Sequence, residues 1–347
     1  MTKHRLCAAA LLLATAGYQS AAMSAPPIDF TTYQGADRSE LLLAAAQKEG
    51  EVTVYHVYPV LTAVEAAFTK KYGIKVKDWR ADSESIVQRV ITEARGGRFI
   101  ADIMQNESAE SQSLSREKLL AAVDSPSQKN LIPEAIPKHR EWVGITLDVY
   151  VAAYNTDKLK KQDLPKTYQD LLDPKWKGKL SVEANDYMWF GALVESMGEA
   201  KGRKLFSDLV STNGISFRKG HTLLTTLVAS GETTMGLSNY YHTITPLKKK
   251  GAPVDFITLQ PLIAQLGAIA VTKKAPHPAA AMLFYDFMLN EGEQIISDEG
   301  YAVTAKKIPS PFAGIPMKVV DPDAALDNQD KWTKTYNDVL LNGVKPK

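Results

Sequence analysis

Cysteine is nearly absent. The 347 residues hold one, Cys7, which excludes a disulfide framework and zinc-thiolate fingers. An excess of one charge is missing too. Lys and Arg number 41 against 39 Asp and Glu, a formal charge of +2, so no basic stripe points to nucleic acid. Beyond Ala16 no apolar run approaches the roughly 20 residues that cross a bilayer as a helix. HExxH, G-x-S-x-G, G-x-x-x-x-G-K-[ST] and G-x-G-x-x-G are all missing, and with them the common signatures of zinc proteases, serine hydrolases, P-loop enzymes and dinucleotide-binding folds. No two of the histidines beyond His4 stand three or four residues apart.

What is there begins with an export signal. Met1–Arg5 is basic, Leu6–Ala16 is an apolar run of 11 residues, and small residues follow from Ser20 to Ala25. That order is a secretory signal peptide, with cleavage after Ala22 or Ala25. Cys7 opens the apolar run rather than closing it, which does not suit lipid attachment. Loss of residues 1–25 removes Lys3, Arg5 and Cys7 and leaves 39 basic side chains against 39 acidic. The expected product is neutral, cysteine-free, soluble and exported. Thiol nucleophiles and iron–sulfur clusters are excluded.

Apolar residues make up 45% of the chain, enough for a large core and about two domains. Glu51–Tyr58 alternates as a strand. Leu61–Tyr72 has helical spacing and closes at Gly73. Strand Ile74–Trp79, helix Ser83–Arg95 and strand Ala101–Gln105 follow, an α/β layer with a parallel sheet. Beyond Ser125, prolines punctuate the chain. Strands are expected at Val149–Tyr154, Lys179–Val182, Thr234–Leu237, Asp255–Leu259 and Gly267–Val271, with helices between them and at Pro278–Leu289. Two such units suit a two-lobed protein with a cleft. Ligands of open α/β sheets bind beyond the carboxyl ends of strands. That places Tyr55–Pro59, Asn106–Glu107 and Ser238–His242 at the cleft.

The runs VTVYHVY, KKYGIKV and ADIMQNE, with Tyr154-Asn155-Thr156, the block Asp173–Lys179 (DPKWKGK) and Asn239-Tyr240-Tyr241, resemble periplasmic solute-binding proteins of the ferric-ion type. The resemblance spans about Glu51 to Tyr301. It implies a two-lobed α/β periplasmic-binding-protein fold of type II with the ligand cleft between the lobes. Lobe 1 is expected at 26–132 with a return segment 262–310, and lobe 2 at 133–261 with 311–347. It implies no enzyme, but a monomeric binding component that captures Fe³⁺ and delivers it to the permease of an ABC importer. Its metal ligands are then Tyr240, Tyr241, Tyr187 and Glu107, hard oxygen donors suited to a hard cation. His56 lies near the place of the family's histidine ligand. The arginine that holds a synergistic anion in relatives is missing from Thr146–Tyr150.

A second constellation points to an organic anion such as a sugar phosphate, phosphonate or carboxylate. Asp186 and Trp189 stand at a strand-to-helix junction with Tyr187. Arg218 precedes Gly220 and a helix start, where backbone N–H groups and a cation suit a phosphate or carboxylate. Tyr58 and Asn239 complete the expected ligand-binding residues. A secreted hydrolase using Glu107 and Asp186 is the remaining alternative, and no motif supports it.

Overall fold

The computed structural model describes residues 28–341. The expected export signal, residues 1–25, lies outside the described residues.

The first part of the chain alternates helix and strand: α1 (Arg38–Glu49), β1 (Glu51–His56), α2 (Leu61–Tyr72), β2 (Lys75–Arg80), α3 (Ser83–Arg95), β3 (Ile103–Glu107) and α4 (Ser108–Arg116). The long strand β4 (Val143–Asn155) leads into β5 (Leu180–Glu183), α5 (Tyr187–Met197), α6 (Glu199–Asn213), β6 (Ile215–Arg218), α7 (His221–Ser230), β7 (Met235–Tyr240), α8 (Tyr241–Lys249) and β8 (Val254–Ile257). The chain returns through β9 (Leu262–Val271), α9 (Pro278–Phe287), α10 (Glu293–Asp298) and β10 (Ala302–Val303). It ends with β11 (Met317–Val319), α11 (Pro322–Asp327) and α12 (Gln329–Tyr336). Local signals explain the punctuation. Asp82 caps α3 by accepting from Ser85 N. Gly73 ends α2 at φ 73°, a left-handed turn that costs glycine little.

The sheet order is β2-β1-β3-β9-β4-β7-β5-β6. Parallel strands lie at both ends: β2, β1 and β3 on one side, β7, β5 and β6 on the other. Antiparallel β9 and β4 join them through the middle. Each end has its own apolar packing. Phe68, Phe284, Phe287 and Leu61 gather between α2, α9 and the first group of strands. Trp176, Trp189, Phe190 and Phe206 gather beneath α5 and α6. Burying each such side chain contributes about 1.5–3 kcal/mol. Among the described residues no helix is long and apolar enough to cross a membrane.

The central strands run longer than expected. β4 begins at Val143 rather than Val149, and β9 at Leu262 rather than Gly267. Thr146, Asp148 and Gln265 interrupt the apolar pattern there, yet all three are buried. Those interruptions carry the candidate site.

Candidate functional site

Cross-strand register assembles the site. Glu107 closes β3 opposite Gly267 of β9. Gly267 also faces Thr146 of β4, Asp148 faces Gln265, and Tyr150 faces Tyr240 of β7. Thr146, Asp148 and Tyr150 alternate along β4 and so share one face. Tyr58, just beyond β1, reaches across to this face. Its hydroxyl donates to Asp148 Oδ2 and stands 3.0 Å from Thr146 Oγ1, which itself donates to Asp148 Oδ1 at 3.2 Å.

Gly267 makes room for that reach. A Cβ there would lie 1.8 Å from Tyr58 Oη and 2.3 Å from Thr146 Oγ1. Gly267→Ala is therefore expected to push Tyr58 off Asp148 and to destabilise the protein by about 1–3 kcal/mol. Urea midpoints measure it, and adding Tyr58→Phe should recover part of the loss. A midpoint equal to wild type would contradict the packing.

Tyr240 is the second hub. Its hydroxyl lies 2.9 Å from Tyr150 Oη and accepts from Gln265 Nε2 at 2.5 Å. Aromatic rings continue outward on both sides. His221 lies 4.0 Å from Tyr240, His242 stacks on it at 5.1 Å and 19°, and Tyr301 stacks on His242 at 4.3 Å and 7°. His221 donates Nδ1–H to Ser238 O at 3.1 Å and turns Nε2 to Asp186 Oδ1 at 3.3 Å.

Electrostatics divides the groups. Burial, then the charge of Asp148, raises the Glu107 carboxyl well above the usual range. Burial would raise Asp148 too, but His242, Glu107 and Tyr58 outweigh it and hold Asp148 below its ordinary value. Glu107 is thus the member of the pair that keeps a proton. Burial also raises Tyr58, Tyr150 and Tyr240 well above 10. Burial opposes charge on His221, yet Asp186 and Glu183 outweigh it and raise its pKa.

Glu107 and Asp186 occupy the positions just before α4 and α5, where a carboxylate commonly caps a helix. Neither side chain makes a cap hydrogen bond. Glu107 Oε2 and Asp186 Oδ2 are buried with no hydrogen-bond partner. Among the described residues, no Lys or Arg hydrogen bonds or ion-pairs with Tyr58, Glu107, Asp148, Tyr150, Asp186 or Tyr240. The nearby basic groups are histidines, His221 at 3.3 Å from Asp186 and His242 at 3.5 Å from Asp148, and the unpartnered buried oxygens remain costly.

The structure brings together Tyr58, Glu107 and Tyr240 of the expected residues, with Asp186 beside them through His221. It does not bring the others. Tyr241 begins α8, and the strand-to-helix corner turns its ring away onto Phe256 and Phe312, at 5.2 and 5.0 Å. Tyr187 stands apart on α5. Its hydroxyl accepts from Gln329 at 3.1 Å, and burial, with Glu110 and Glu84 adding to it, pushes it up to about 12. Trp189 is a core residue packed on Phe206. The Asn239 amide is buried behind β7, best satisfied by donating to Gly236 O at 3.1 Å and accepting from Thr225 Oγ1 at 2.7 Å. Arg218 donates to its neighbour's carbonyl, Phe217 O, and lies 3.7 Å from Glu232. His56 points beneath α2, toward Glu65 and Asp78.

Sequence reading missed Asp148, Tyr150, Gln265 and Tyr301 as site residues, named His221 only within its segment, and took His242 for a supporting or surface residue rather than a ligand. One signal was available: Thr146-x-Asp148-x-Tyr150 puts polar groups at every second position of an otherwise apolar central strand.

With this arrangement in hand, comparison with known proteins gives a consistent answer. Residues 63–311 match the model of a family described as bacterial extracellular solute-binding protein. The Fe(3+)-binding periplasmic protein of Serratia marcescens is 27% identical over 292 residues, covering 79% of this chain and 85% of the relative. The major ferric iron-binding protein of Neisseria meningitidis serogroup A is 27% identical over 273 residues, covering 74% and 81%. Iron-bound HitA from Pseudomonas aeruginosa superposes with a TM-score of 0.72 at 26% identity, covering 83% of this chain and 99% of HitA. AfuA from Actinobacillus pleuropneumoniae, solved with fructose-6-phosphate, shares the fold at a TM-score of 0.72 and 23% identity, covering 84% and 99%. The chain belongs to the bacterial extracellular solute-binding protein family, a family of binding proteins rather than enzymes. Its fold is the two-lobed α/β periplasmic-binding-protein fold of type II.

Proposed function

We propose that this chain is the periplasmic substrate-binding component of an ABC importer, and that its cargo is ferric iron. The observation that carries the reading is the buried Glu107–Asp148 pair beside Tyr240, with unpartnered oxygen and no Lys or Arg in contact. Two carboxylates and one phenolate supply three negative charges, matching Fe³⁺. All are hard oxygen donors, as a hard cation prefers. Tyr150 and Gln265 place hydrogen-bond donors on the Tyr240 oxygen and would steady its phenolate. This donor set keeps Tyr240 and Glu107 and takes Asp148 in place of Tyr241 and Tyr187. The anion reading loses its main support, because the Arg218 guanidinium is engaged elsewhere. The names of the Serratia, Neisseria and Pseudomonas proteins agree with iron.

The remainder of the proposal follows from the class. Residues 1–25 direct export and are cleaved. Lobe 1 comprises 26–132 with 262–310, and lobe 2 comprises 133–261 with 311–347. The monomer closes on iron, presents the closed form to a permease, and leaves the energy of transport to the importer's ATPase. Closure then follows from cargo contacts on both lobes.

Iron must displace the protons of Tyr240 and Glu107, whose ionised forms burial disfavours. Binding near neutral pH should therefore release about two protons per ion. Affinity should rise with pH while both groups remain protonated in the iron-free protein, and fall as pH falls. Titration with ferric citrate, read by tyrosinate-to-iron charge-transfer colour and by proton release in two buffers, tests this. No colour and no thermal stabilisation would sink the iron reading. Colour without proton release would sink the donor assignment.

A further inference from the structure

We propose that His56, Glu65 and Asp78 form a second metal site, outside the cleft, for a divalent transition-metal ion of the zinc type. His56 ends β1 and its side chain is wholly buried. Its Nδ1 lies 2.9 Å from the carbonyl oxygen of Tyr58. A carbonyl only accepts, so Nδ1 carries the hydrogen and the neutral ring presents a bare lone pair at Nε2. That lone pair faces two more acceptors, Glu65 Oε1 at 3.5 Å and Asp78 Oδ2 at 3.6 Å. Both distances are too long for good hydrogen bonds. Nε2 and Glu65 Oε1 are buried with no hydrogen-bond partner.

Three lone-pair atoms therefore converge from β1, α2 and β2 with no hydrogen-bond donor among them, all within 4.8 Å of one another. A proton on Nε2 is one remedy, but it would put a charge on a ring that is wholly buried. A proton on Glu65 would still leave Asp78 facing the ring. A divalent cation satisfies all three at once. Tetrahedral zinc with bonds of about 2.0–2.2 Å sets its ligand atoms about 3.3–3.6 Å apart, close to the separations here. One imidazole and two carboxylates suit zinc or cobalt rather than soft copper(I) or calcium. The Nδ1–H bond to the Tyr58 carbonyl is the kind of outer contact that fixes a ligating histidine. The Asp78 side chain, 53% exposed at the sheet edge, provides the way in. The fourth position would fall to water or an exogenous ligand. An ion here ties edge strand β2 and helix α2 to the end of β1, two residues before Tyr58.

The test uses the mature chain stripped of metal with a chelator and titrated with Co²⁺. One equivalent should give the intense visible bands of tetrahedral cobalt, and Zn²⁺ should abolish them. Asp78→Asn and Glu65→Gln should each weaken binding at least tenfold while keeping the wild-type circular dichroism, and Tyr240→Phe should leave the bands in place. Octahedral or undetectable cobalt overturns the proposal. So do bands that survive both carboxylate variants, or that vanish with Tyr240→Phe, since the ion would then lie in the cleft.

Discussion

Tyr240→Phe is expected to weaken ferric-iron binding by about a hundredfold or more, since loss of even outer contacts around a metal costs about 10–100-fold. The visible charge-transfer band should go with it. Tyr241→Phe should change both little, because its ring is committed to Phe256 and Phe312. The two substitutions remove the same atom from adjacent residues, so the contrast isolates position from chemistry. Tyr240→Phe also leaves Gln265 and Tyr150 without their shared partner, a loss of about 1–3 kcal/mol in stability. Stability and affinity should therefore be measured separately, by urea denaturation and by competition with citrate. Equal loss of iron in both variants would place Tyr241 back among the ligands, which requires a corner of α8 unlike the one described.

Asp148→Asn should have an effect of similar size through charge rather than through a phenol. It removes one of three negative charges and halves the acceptor capacity that Tyr58 and Thr146 use. Affinity is expected to fall about a hundredfold. A second consequence has the opposite sign. Burial is the larger cause of the raised Glu107 pKa and Asp148 the next, so neutralising Asp148 should lower the Glu107 pKa while leaving it above the ordinary value. The pH dependence of whatever binding remains should move to lower pH. Carbon NMR of the Glu107 carboxyl, with and without the substitution, follows it directly. An unmoved titration would mean that the two carboxyls do not share a proton.

Much of the fold was legible because it is periodic. Leu61–Tyr72 was bounded correctly by its apolar spacing and by Gly73, β1 fell within its expected run, and β2 ran one residue past its own, to Arg80. β4 and β9 were read short because their polar residues broke the pattern. In a buried central strand, polarity marks a site rather than an end. Tyr58, Glu107 and Tyr240 were legible as residues at the ends of strands. Asp148, Tyr150 and Gln265 were not, because they meet through antiparallel register between segments far apart in sequence. Tyr241 stands apart from Tyr240 for a local reason. Neighbours in sequence share a purpose only if the backbone keeps them on one side, and a strand that turns into a helix does not. Trp189 and Asn239 carried polar or aromatic chemistry that the core absorbs.

The register of β4 slips twice, between Gly144 and Thr146 against β9 and between Val151 and Ala153 against β7. These irregularities bracket the short stretch that carries Thr146, Asp148 and Tyr150. A bulge bends its strand and sharpens the local twist, so β4 turns at both ends of that stretch. Asp148 and Tyr150 sit on the run between the two bends, while Glu107 and Tyr240 are carried on other strands. On the proposed function, iron joins Asp148 to Glu107 and Tyr240, so an importer that parts the lobes would draw these donors away from one another and release the cargo without having to touch it.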